Sequence, residues 1–243
     1  MYQTNPPSSP KKILSKRYKI HQANSEKLEL AEKYYLLQPQ LLGDTFHPPN
    51  YLVQQILVAS HVKLYYNPQQ TNCYQSPHWF AVVGTEEFYE QREVREIYRA
   101  WREGINPFVV VDFVSPDSEI VDLDERQATG NQPESYWEVY EQILRIPYYI
   151  IFDYKSNNLK VFELADSRYK ELRIKEPRIW IQDIQLGLGL WEGVYQGINR
   201  QWLRWYDGSL KWIMTHEERE LKRGELLKKQ LILLGIDDKN DRE

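Results

Sequence analysis

Between residues 107 and 116 the chain reads P-F-V-V-V-D-F-V-S-P, with six of ten positions Val or Phe around one acid. A short run this apolar, rich in β-branched and aromatic residues and closed by prolines, predicts a strand buried on both faces. Strand alternation puts Asp112 on the face of Phe108, Val110 and Val114, opposite Val109, Val111 and Phe113. Two further apolar runs, W-F-A-V-V at 79–83 and Y-Y-I-I-F at 148–152, predict buried strands. Between the second and third of these, residues 134–146 carry Tyr136, Val139, Tyr140 and Ile143 at helical spacing, widened by Trp137 and Leu144. Ser135 or Asn131 can cap that helix and Pro147 follows its end. Strand, helix, strand in this order predicts a βαβ-like crossover.

The flanks are less regular. Residues 24–35 have helical character, and Pro39, Pro48 and Pro49 are expected to break the chain after them. In 51–66, Leu52, Val53, Ile56 and Leu57 fit one helix face, whereas Val62, Leu64 and Tyr66 alternate as in a strand. Residues 87–103 predict a helix or excursion packed by Tyr89, Val94, Tyr98 and Trp101, and 117–133 an acidic loop. Residues 159–164 alternate like the outer arm of a hairpin turned at 156–158. G-L-G-L-W at 187–191 lacks a third glycine, so a tight turn is expected there rather than a phosphate loop. Asp207-Gly208 predicts a hairpin turn, and residues 217–234 a charged amphipathic helix with Leu221, Leu226, Leu227, Leu231 and Leu234. The leucines of that helix should dock on the body or pair in a homodimer; the alternative is a frayed solvated tail. The fold class expected is α/β (α+β). The domains expected are an N-terminal tail and short helix at 1–45, a core at 46–185, and a C-terminal extension with hairpin and helix at 186–243.

Composition sharpens this picture in a few places. At 42% hydrophobic residues the chain can build a real core, and 18 Tyr with 8 Trp predict many half-wet packing sites. A net charge of −4 argues against coating nucleic acid by bulk charge, while leaving a local basic cleft open. The basic run Lys11, Lys12, Lys16, Arg17, Lys19 reads as a solvated tail. The single Cys73 excludes an intramolecular disulfide and fits a reducing cytoplasm. No signal-peptide pattern and no apolar run near the roughly 18 residues of a membrane span is present, so no membrane partner is expected.

Chemistry converges on Asp112. A carboxylate inside an apolar strand is destabilising by several kcal/mol unless paired. It is therefore either a structural acid bonded to an Arg or to backbone N–H groups, or a metal-binding or catalytic acid. In the acidic loop, Asp122, Asp124 and Glu125 lack the spacing of a calcium loop.

V-V-V-D-F-V-S-P at 109–116, followed by W-E-V-Y-E-Q-I-L-R-I-P-Y-Y-I-I-F at 137–152, resembles the Uma-type restriction endonuclease family, abundant in cyanobacteria and part of the PD-(D/E)XK nuclease superfamily. G-L-G-L-W-E-G, W-L-R-W-Y-D and L-I-L-L-G-I-D also resemble a long cyanobacterial branch, so the likeness runs over about residues 51–237. It implies a restriction-endonuclease-like mixed central sheet flanked by helices. It implies an endonuclease, a hydrolase that uses Mg²⁺ or Mn²⁺ on the phosphodiesters of DNA: two acids hold the cation, which polarises phosphate and activates water, and a lysine stabilises developing charge. In the family's acid-strand pattern Asp112, Ser115 and Pro116 fill the Glu, Ser and Pro positions. The family's first acid falls in a Pro-Asp-Trp-Phe pattern, which here is Pro77-His78-Trp79-Phe80. The family's lysine falls on Tyr136 in one register and on Arg126 in another. The resemblance thus implies metal ligands Asp112 and His78 and catalytic positions Asp112, Tyr136 and Arg126. With the first acid and the lysine both replaced, it implies either a nuclease of altered metal preference or a catalytically silent nuclease fold that binds protein or nucleic acid.

Overall fold

The computed structural model describes residues 25–70, 72–84, 97–114 and 135–233. The chain divides into two units, Met1–Leu36 and Leu37–Glu243. Of the first, residues 25–36 are described, and all are helical. In chain order the elements are α1 (Ser25–Thr45), β1 (Ile56–Ser60), β2 (Lys63–Tyr65), β3 (Tyr74–Gln75), β4 (Trp79–Val83), β5 (Ile97–Arg99), α2 (Ala100–Glu103) and β6 (Val109–Val114). A wide helical turn, Glu138–Ile143, then leads to β7 (Tyr148–Asp153), β8 (Asn158–Ala165), β9 (Arg168–Glu171), β10 (Arg178–Ile181), β11 (Leu186–Tyr195), β12 (Ile198–Tyr206) and α3 (His216–Leu233).

The second unit is built on a six-stranded mixed sheet in the order β1-β4-β6-β7-β8-β9. Its centre is the apolar run that dominates the sequence. β6 lies antiparallel to β4 and parallel to β7, with Asp112 opposite Ile151. A parallel neighbour needs a crossover, and the Glu138–Ile143 turn lies within it. Strands buried on both faces have no polar alternation, which is why Trp79–Val83 and the first five residues of β6 and β7 are all buried. One face packs Phe80, Val82, Val110, Tyr149 and Ile151 against Val139, Tyr140, Leu144 and Ile146 of the crossover and Leu64 and Tyr98 of the small β3-β2-β5 sheet. On the other face Trp79 meets Phe46 at 5.5 Å and Trp205 of β12 at 6.0 Å. Gln38 ties this layer together, donating to the Leu203 carbonyl at 2.8 Å and accepting from the Leu203 N–H at 2.9 Å, as a neighbouring strand would.

The central sheet, the crossover and the Ser135 cap, which accepts from the Glu138 N–H at 3.2 Å, are as the sequence predicts. Several flanks differ. Pro39 does not break α1 but lies inside it; the buried Leu41 and Leu42 that follow supply packing that outweighs the lost hydrogen bond. Residues 53–60 are a short 3₁₀ turn and strand β1, not a helix, because Ile56 to Ser60 can extend the sheet beside β4. The crossover helix is shorter than 134–146: Leu144 N–H bonds back to the Val139 carbonyl in π fashion, and Arg145 takes a left-handed φ of 50°. Residues 97–99 of the expected excursion form β5, parallel to β2, with Ala100–Glu103 the only helical turn among its described residues. β8 forms the expected hairpin with β7, and β9 pairs beyond it, so β8 is not the edge strand. Gly187 to Trp191 is not a turn but lies in the first half of β11, paired along its length with β12. Glycine is required there by close approach: a Cβ at Gly187 would lie 1.9 Å from the Tyr206 ring.

Among the described residues, α3 is held only by its first turn. Glu218 accepts from the Thr215 N–H at 2.7 Å and its own N–H donates to Thr215 Oγ1 at 3.2 Å, a capping box. The nearly buried Arg204 pairs with the same Glu218 carboxylate. Beyond this turn no residue is buried, and Leu221, Leu226, Leu227, Leu231 and Leu233 are exposed. The expected docking of Leu221, Leu226, Leu227 and Leu231 on the body is therefore not what the described residues do, and Leu234 lies outside them. No described helix is long and apolar enough to cross a membrane.

Two consequences can be measured. Gly187→Ala should destabilise the protein by about 1–3 kcal/mol in urea unfolding, because the added methyl forces the Tyr206 ring off its seat. Burial alone would raise the Glu218 pKa, but the bonds from Arg204 and Thr215 outweigh it and hold it below the ordinary carboxylate value. A lowered folded-state pKa gives stability that is present above the unfolded value and lost as pH falls through the folded one. Glu218→Gln should therefore flatten the acid limb of the stability profile below about pH 4.5, read as thermal midpoint against pH.

Candidate active site

The register of the sheet lines up one row of side chains. Ser60, Trp79 and Val111 are mutual neighbours across β1, β4 and β6. One step further along lie His61, His78 and Asp112, and the row continues through Ile151 to Lys160. Backbone pairing of β4 with β6 ends at Trp79, so the next rung is made by side chains. The His78 N–H donates to Asp112 Oδ1 at 3.1 Å, and the Phe113 N–H points at His78 Nδ1 at 3.2 Å. Across the fork, His78 Nδ1 and Asp112 Oδ1 are 2.7 Å apart. Tyr149, two residues before Ile151 on β7, donates its O–H to Asp112 Oδ2 at 3.1 Å.

Asp112 is 1% exposed and His78 6%. The buried Asp112 side chain therefore makes three hydrogen bonds, two through Oδ1 and one through Oδ2, and no Arg or Lys pairs with it among the described residues. Hydrogen bonds to a charged group are each worth about 1.5–3 kcal/mol, enough together to hold a carboxylate that desolvation would otherwise expel. Burial first, and the Asp112 charge second, push the Tyr149 and Tyr140 phenols well above their ordinary pKa. Tyr149 accordingly keeps its proton as a donor. Tyr140, whose ring stands edge-on to Tyr149 at 5.1 Å, has a fully buried hydroxyl with no hydrogen-bond partner among the described residues.

Of the residues singled out in the sequence, Asp112 and His78 are brought together. Tyr136 packs its ring on Tyr140 at 5.9 Å, two phenols removed from the carboxylate. Arg126, with Ser115, Pro116, Asp122, Asp124 and Glu125, lies outside the described residues. The sequence reading did not single out Tyr149, His61 or Lys160 as site residues. The parallel crossover carried a signal for Tyr149, since alternation sets it on the face of Val110. His61 and the exposed Lys160 emerge only from the register.

The donors around Asp112 do not fit Mg²⁺. Magnesium asks for carboxylate oxygens and retained waters, whereas both oxygens here are engaged by N–H and O–H donors, and the neighbouring side chain is an imidazole. Among the described residues no three His, Cys, Asp or Glu side chains form a group that could hold a metal ion.

A mixed six-stranded sheet with a parallel central pair, a crossover helix, and an acid buried on the central strand is a restriction-endonuclease-like α+β architecture. The family model Uma2, described as "Putative restriction endonuclease", matches residues 36–194. The chain belongs to that family. No curated protein matches it.

The two phenols should behave oppositely. Tyr149→Phe strips Asp112 Oδ2 of its donor and should destabilise by about 1–3 kcal/mol, whereas Tyr140→Phe removes only an orphaned hydroxyl and should be neutral or stabilising. Denaturant unfolding of both variants checks this.

Proposed function

We propose that this chain is a nuclease-fold domain that binds DNA, or another nucleic acid, without Mg²⁺-dependent cleavage. The family supplies the nuclease-like setting. The observation that carries the proposal is the state of Asp112: Oδ1 is engaged twice by His78 and Oδ2 by Tyr149, so the acid serves as the acceptor that closes the end of β4 on β6. An imidazole stands where the family pattern places a second carboxylate, and phosphodiester hydrolysis through a hard cation lacks its usual pair of acids. Tyr136, where one register places a lysine, offers a phenol packed on Tyr140 and no positive charge. Losing a group that stabilises transition-state charge lowers rates by about 10²–10³-fold.

A second reading is favoured by Lys160. It shares the row and, two strands from Asp112 at the usual strand spacing, lies about 10 Å away on the same face. A cation there could take the place of the replaced lysine in an active enzyme.

A plasmid-nicking assay with Mg²⁺ or Mn²⁺ separates the two. The native chain should give no metal-dependent nicking while retarding DNA in gel shift. His78→Asp combined with Tyr136→Lys should raise cleavage, and Asp112→Asn should abolish whatever exists. Robust Mg²⁺-dependent nicking by the native chain that is lost in Asp112→Asn and in Lys160→Ala would establish the second reading instead.

A further inference from the structure

We propose that α3 is a self-association surface: two copies of this chain pair their α3 helices antiparallel, crossing at Gly224. The inference does not depend on whether the chain cleaves nucleic acid.

α3 is 18 residues long and buries none of them. A helix of this length draws most of its stability from packing one face. Residues three and four apart share a face, and on α3 that spacing draws a stripe through Glu220, Leu221, Gly224, Leu227, Lys228 and Leu231. Leu226 and Leu233 fall on the opposite side. The three leucines of the stripe are exposed.

The stripe is complementary to itself. A two-fold axis through Gly224 sets Leu221 against the partner's Leu227 and Glu220 against the partner's Lys228. Each pairing then occurs twice, as a contact between identical surfaces requires. A parallel pair in register would instead set Glu220 against Glu220 and Lys228 against Lys228, so the charges select the antiparallel arrangement. These charges are available. Glu217 and Glu218 are engaged by Gln196 and Arg204. Glu220 has Arg223 at 3.9 Å on an exposed surface, and Lys228 makes no ion pair among the described residues. Gly224 is an independent observation. Glycine weakens a helix interior relative to alanine, and nothing in its own chain calls for one here: a Cβ built on Gly224 meets no atom within 4 Å. At the crossing point the missing side chain lets two helix backbones approach closely. Two crossing helices make a small interface, so the association is weak and concentration-dependent.

Sedimentation velocity on the full-length chain over a range of concentrations tests this. The native chain should show a reversible equilibrium between monomer and dimer. Glu220→Lys and Lys228→Glu should each weaken association about tenfold or more, because each sets like charges opposite one another at two places. Combined in one chain, the two substitutions should restore it. Gly224→Leu favours the isolated helix yet should weaken association by blocking the crossing. Glu220 and Lys228 are exposed, so the fold should survive their replacement, as circular dichroism checks. A native chain that stays monomeric at every concentration would overturn the proposal. So would single charge reversals or Gly224→Leu that leave association unchanged, or a double exchange that fails to restore it.

Discussion

The constraint on which this structure turns is the desolvation of a single carboxylate. Asp112 sits in the most apolar strand of the chain, where an ionised group survives only if every oxygen finds a donor. Each neighbour is arranged for that. β4 begins one residue early on side-chain contacts, so that His78 can offer both its backbone N–H and its ring. β7 lies parallel and in a register that brings the Tyr149 hydroxyl to the other oxygen. A strand slip of one residue would turn Asp112 to the opposite face of the sheet, away from His78 and Tyr149. The acid therefore helps specify the pairing of the sheet as much as it suggests chemistry.

The central sheet and its crossover were legible because both rest on hydrophobic period. β4, β6 and β7 are continuous apolar runs, and Tyr136, Val139 and Tyr140 recur at helical spacing. What escaped the sequence is tertiary in origin. The first turns of β1 look helical from Leu52 to Leu57 and become strand only because β4 offers an edge. Gly187 and Gly189 suggest a turn in isolation, yet they are strand residues whose missing side chains make room for Tyr206 and Arg178. Pro39 signals a break that the packing of Leu41 and Leu42 overrides.

The site divides in the same way. Asp112 and His78 could be named from residue type and order. Their partnership with Tyr149, and the placing of His61 and Lys160 on one row, depend on which strands pair and in what register, which one sequence does not state. The result reconciles the two readings of Asp112 available from sequence: it is bonded to a backbone N–H, as a structural acid would be, and at the same time orients an imidazole.

The parallel pairing of β6 with β7 also governs the order in which the chain can be made. β4 leaves the ribosome before β6, so one edge of the central strand can be satisfied at once. Its other edge faces nothing until residues 148–153 have been synthesised, after the acidic segment and the crossover. During that interval a six-residue apolar strand presents an open edge to every other nascent chain nearby, the condition under which strands add to one another. The prolines at 107 and 116, which bracket the strand and cannot donate to a ladder, limit how far such an intruder could extend.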